Sequence, residues 1–67
     1  MIVYINKSKI DIFQGARVKD AILAYSRRSY QLFMRERLIA LDRFGNLTDA
    51  EGALVNEQMI TLKRNIR

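Results

Sequence analysis

Cysteine and histidine are both missing from the 67 residues. Their absence excludes disulfides, thiolate and imidazole metal ligands, and every nucleophile and base pair built from those side chains. Carboxylates are then the only conventional acid or base groups left, so neither an enzyme nor a bound cofactor or metal is expected. The chain also lacks any apolar run near the roughly 18 residues that a membrane helix requires. Its first residues do not pair a basic segment with an apolar stretch and a cleavage site. These absences lead to the expectation of a cytoplasmic protein with no membrane insertion, held together by packing alone.

What is present fits a globular domain. Apolar residues make up 49% and charged residues 28% of the chain, too hydrophobic a balance for disorder. A chain of this length owns one core, so residues 1–67 are expected to form a single domain. Twelve Lys and Arg against seven Asp and Glu leave a net charge of +5. The positive surface is therefore expected to attract phosphates, acidic proteins or anionic lipid. Eight of the twelve cations are Arg, whose planar fork suits bidentate contacts to carboxylate or phosphate.

Met1 to Asn6 is rich in β-branched and aromatic residues, and Asn6 to Lys9 supplies turn chemistry before Ile10 to Phe13 resumes the apolar pattern. A hairpin follows, with Val3, Ile5, Ile10 and Ile12 directed to one face by the period of two. Val18, Ala21, Ile22 and Tyr25 recur at helical spacing after a break at Gly15, although Arg17 stands where a Ser or Thr cap would be usual. Tyr30, Phe33 and Met34 begin a second helical stripe with Ser29 as its expected cap, unless one longer helix runs through. Leu38 to Leu41 reads as a buried strand closed by a turn at Gly45 and Asn46, with Leu47 and Thr48 as a short return strand. Leu54 and Val55 form an apolar peg, and Met59 to Lys63 alternates as a last strand with Ile60 and Leu62 inward. The order is β-β-α-β-β-β, which two layers satisfy by laying the helix across a mixed sheet of four to five strands.

Ile12 to Ile22, with its strand, glycine turn and helix start, and Asp42 to Ile60, with its hairpin, peg and closing strand, resemble the β-grasp (ubiquitin-like) families. Those families include the ThiS/MoaD-like sulfur carriers and the TGS domains. The resemblance implies an α+β fold in which the first and last strands are parallel neighbours. A sulfur carrier of this family ends in Gly-Gly, whereas this sequence closes on Leu62-Lys-Arg-Asn-Ile-Arg67. Carrier chemistry is thus the least favoured of the functions that the resemblance brings.

Two surfaces are candidates for binding. Ile2 and Tyr4 on the first strand, beside Met59 on the last and with Lys63 at the rim, would form an apolar patch on the open sheet face fit for a protein partner. Arg27, Arg28, Arg35 and Arg37 would instead form an Arg-rich surface for nucleic acid or another polyanion. Tyr30 and Phe33 lie among those arginines, as stacking platforms or as core, and Glu36 neutralises part of the charge. Asp42, Asp49 and Glu51 lie close in sequence, but around Gly45 and Asn46 they read as turn formers rather than as an acid and base pair.

Overall fold

The computed structural model describes residues 1–66, and begins with two short strands, β1 (Ile2–Ile5) and β2 (Ser8–Asp11). Asn6 and Lys7 join them, both at positive φ (49° and 71°), as the tight turn of a right-twisted hairpin demands. Helix α1 (Val18–Tyr25) and helix α2 (Arg27–Met34) follow, then strands β3 (Leu38–Leu41) and β4 (Gln58–Arg64). The four strands lie in the order β2-β1-β4-β3, with β1 and β4 parallel and the outer pairs antiparallel. The result is a mixed α+β domain of two layers, with both helices on one face of the sheet.

The register divides the side chains. Val3, Ile5 and Ile60 point toward the helices and are at most 1% exposed, where they meet Val18, Ala21 and Ile22 of α1. Ala16, Ala40 and Leu54 complete the buried cluster, and Tyr25, Tyr30, Phe33 and Leu62 pack against its margin. Ile10 and Ile12, expected inside, reach only its edge because β2 is the outermost strand and has a neighbour on one side alone.

Four expectations are corrected by the structure. The return strand at Leu47 and Thr48 shrinks to a single bridge between Leu41 and Leu47, so the described residues form four strands. On β3, where Ile39 and Leu41 are expected inside, it is Ala40, opposite Leu62, that faces the core, while Ile39 and Leu41 lie opposite Lys63 and Thr61 on the other face. The peg is split, with Leu54 buried and Val55 65% exposed. The second helix is capped by Ser26 rather than Ser29: the Ser26 hydroxyl accepts a hydrogen bond from the Ser29 amide at 3.1 Å. Ser26 itself has extended backbone angles, and this is what separates α1 from α2 instead of letting one helix run through.

Each helix end is closed in its own way. The α1 amides of Val18 and Lys19 donate to the carbonyls of Gly52 and Ala50 at 3.0 and 3.1 Å, so a remote turn does the work of the missing Ser or Thr. The Arg17 amide donates to the Asp20 carboxylate at 2.8 Å, placing an acid in the first turn where the helix dipole favours it. Glu51 of the same turn pairs with Lys19, which raises the Lys19 pKa through that hydrogen bond and charge. Helix α2 ends in a Schellman arrangement: the amides of Glu36 and Arg37 donate to the carbonyls of Phe33 and Leu32, and Glu36 takes the left-handed conformation at φ 62°.

Candidate functional site

The face of the sheet turned away from the helices is uncovered. Parallel pairing sets Tyr4 beside Met59, and antiparallel pairing adds Leu41 opposite Thr61 and Ile39 opposite Lys63. Ile2 lies two residues from Tyr4 and therefore on the same face. An apolar band thus crosses β1, β4 and β3, formed by Ile2, Tyr4, Met59, Leu41 and Ile39. Met59 is 42% exposed, and the other four are half-buried.

Of the four residues expected on this face, three come together and one stands apart. Ile2, Tyr4 and Met59 are neighbours. Lys63 is four positions from Met59 along an extended strand, roughly 13 Å away at the strand rise, and so marks the far rim. Lys9, opposite Tyr4 on the hairpin edge, supplies a second cation to the same face, and Asp11, opposite Ile2, supplies an acid.

The structure adds two residues that sequence reasoning did not assign to this surface. Phe44, at the tip of the turn after β3, is 80% exposed, and Val55 lies across from it in the loop before β4. Together with Met59 they line a cleft of ≈ 350 Å³ whose walls also include Asp42, Arg43, Asn56 and Gln58. Three side-chain oxygens in those walls, Asp42 Oδ1, Gln58 Oε1 and Asn56 Oδ1, are already engaged. The Asp42 carboxylate takes hydrogen bonds from the amides of Phe44 and Asn46 at 2.8 and 2.9 Å. The Gln58 side chain takes one from the Val55 amide at 3.0 Å, and the Asn56 side chain takes one from the Ile2 amide at 2.8 Å. These bonds hold the tip and the loop in place, and those from the Asn46 and Phe44 amides keep the Asp42 carboxyl below the usual Asp range. Gly45, at φ 81°, completes the tip. Asp42 is therefore a turn former, as expected from its position.

The arginine group is exposed and spread along α2 and the residues after it. Arg27 and Arg28 occupy the first turn of α2, and Arg35 and Arg37 follow its last turn, separated by about 12 Å of helix. Arg27, Arg28, Gln31, Met34 and Arg35 form one exposed stripe. Tyr30 and Phe33 turn the other way, against the core, so they are packing residues and not stacking platforms. None of the four arginines takes part in an ion pair among the described residues. Arg27 and Arg28 also sit at the positive end of the helix dipole with no acid beside them, an electrostatically unfavourable placement.

Fold and surface together define a small mixed α+β domain with one sheet face left open. No helix among the described residues is long and apolar enough to cross a membrane. Comparison of the chain with protein-family models, with characterised proteins and with solved structures finds no match.

Proposed function

We propose that this protein is a β-grasp domain acting as a non-enzymatic interaction module, which docks a protein partner on the open sheet face. The observation that carries this reading is the juxtaposition of Tyr4 and Met59 at one register position on a face that neither helix covers. Around that pair lie Ile2, Leu41, Phe44 and Val55, giving the apolar centre, with Lys9 and Lys63 at the rim, of a surface that gains by losing water. The strand order 2-1-4-3 with parallel central strands supports the β-grasp assignment.

The test is a double variant, Tyr4→Ser with Met59→Ser, compared with the parent chain for partner capture and for the amide spectrum. The expected result is loss of the partner with the folded spectrum retained. Capture at parental strength by the folded double variant would refute the reading.

The stripe on α2 supports a second reading, polyanion binding through Arg27, Arg28 and Arg35, with Arg37 beyond the helix end. Cations held at the wrong end of a helix dipole, and without carboxylate partners, would be relieved by a bound phosphate backbone. Binding of this kind releases counterions, so affinity for a single-stranded oligonucleotide would fall steeply between 50 and 200 mM salt. Affinity independent of salt would reject it.

A further inference from the structure

The cleft between the Phe44 tip and the Val55 loop differs from the flat sheet beside it, because three of its side-chain oxygens hold the surrounding backbone while its one cation has no partner among the described residues. Asp42 and Arg43 are the two charged residues of its lining. The Asp42 carboxylate is turned to the Phe44 and Asn46 amides. Arg43 is exposed and makes no hydrogen bond or ion pair among the described residues. Gln58 and Asn56 spend their acceptor oxygens on the Val55 and Ile2 amides. What the cleft offers an incoming group is therefore an apolar wall, formed by Phe44, Val55 and Met59, together with cationic and N–H donors from Arg43, Asn56 and Gln58. The backbone of the tip and the loop is tied by these bonds, which lessens what binding must order.

Resting on the sheet-face reading above, we infer that this cleft receives a bulky apolar side chain of the partner, and that Arg43 takes the carboxylate of an Asp or Glu beside it. The occupant is a short acidic segment with an apolar anchor. Charge complementarity selects it twice, locally through the free guanidinium and globally through the net charge of +5, which draws in acidic segments and repels basic ones. A guanidinium fork suits a carboxylate in a bidentate arrangement. A second copy of this chain is disfavoured as occupant, since it would bring Arg43 and the same excess of positive charge to the cleft.

The experiment titrates the ¹⁵N-labelled full chain with two blocked tripeptides, acetyl-Glu-Leu-Glu-amide and acetyl-Lys-Leu-Lys-amide, at millimolar concentration. Saturable shifts of the Phe44, Val55 and Met59 amides with the acidic peptide, and none with the basic one, are expected. Arg43→Gln should weaken the acidic peptide about two- to five-fold, the range of an exposed ion pair. Val55→Asp should abolish its binding while the amide dispersion of the folded chain is kept. Equal response to both peptides, absence of any response, or shifts confined to Lys9 and Lys63 would overturn the inference. A partner lost on Tyr4→Ser with Met59→Ser, yet held at parental strength by Arg43→Gln and Val55→Asp, overturns the cleft assignment and leaves the sheet-face reading standing.

Discussion

Met59 and Ile60 are consecutive residues of one strand, yet Ile60 is 1% exposed and Met59 is 42% exposed. Period-two alternation sends one into the helix layer and the other to the open face, so two adjacent apolar side chains do different work. Ile60 lies beside Ile5 in the sheet and belongs to the buried cluster beneath the helices. Met59 lies beside Tyr4 with solvent above it. The helix-side face spends its apolar surface on folding. The outer face keeps its own in reserve, and on the reading proposed above that reserve is the binding surface.

Five substitutions or conditions would break or sharpen this contrast. Ile60→Ala should cost about 2–5 kcal/mol in urea unfolding, a large share of the stability of so small a domain. A loss under about 1 kcal/mol would mean that the buried face does not carry the fold. Met59→Ala, one residue away, should cost under about 1 kcal/mol because nothing packs over it. Equal destabilisation by the two changes would erase the distinction between the faces.

Gly52→Ala tests the turn that closes the helix layer. An added Cβ would sit 3.0 Å from the Asp49 carbonyl oxygen, in the turn whose own carbonyls receive the α1 amides. It should destabilise by about 1–3 kcal/mol, as an overpacked site does. Faster hydrogen exchange at Val18 and Lys19 is expected to accompany it. Glu36→Gly should act in the opposite sense and stabilise by about 0.5–1 kcal/mol, since glycine adopts the left-handed conformation without the Cβ clash. A thermal melt is sufficient to see it.

The smallest effect concerns the cleft wall. The Asp42 pKa is lowered in the folded state, so its contribution is present above the ordinary Asp pKa and is lost as pH falls through the lower folded value. The Phe44 and Asn46 amide resonances should therefore titrate with a midpoint below 3.8, while those of β1 stay fixed. A midpoint at or above the ordinary value would show that these amides do not hold the carboxylate.

Much of the helix-side face was legible from the residues. The β1–β2 hairpin followed from alternation around Asn6 and Lys7, and α1 followed from Val18, Ala21 and Ile22 at helical spacing. The phase of β3 was not legible, because Leu38 to Leu41 is apolar at every position and a run without alternation does not say which side is in. Size favoured Ile39 and Leu41 for the core, but Ala40, opposite Leu62, is the residue buried there. The capping of α1 escaped for another reason: its acceptors are backbone carbonyls more than thirty residues away, which have no side-chain signature.

The outer face was read in part. Ile2, Tyr4 and Met59 could be placed by assuming that the first and last strands are parallel neighbours, and the register bears out that pairing. Phe44 and Val55 were missed as members of the surface because they belong to separate loops that meet only in the folded chain. One signal was available. A large aromatic inside a turn built on Asp42, Gly45 and Asn46 has no strand neighbour to bury it, and its exposure needs a reason. The arginines follow the length of α2: Arg27 and Arg28 stand in its first turn, and Arg35 and Arg37 lie beyond its last.

The carbonyls of Ala50 and Gly52 that finish the first turn of α1 have a consequence for how the chain acquires its shape. A growing chain cannot complete its first helix until residue 52 has been made, and cannot insert β4 beside β1 until residue 60 has followed. Asn6 extends the dependence, since its side chain accepts the Leu62 amide 56 positions away at 2.8 Å. Contacts of such separation carry the entropy of closing a long loop before they return any stability. Folding is then expected to be a single late event, slower than that of a helical bundle of equal length, with no N-terminal half that stands alone.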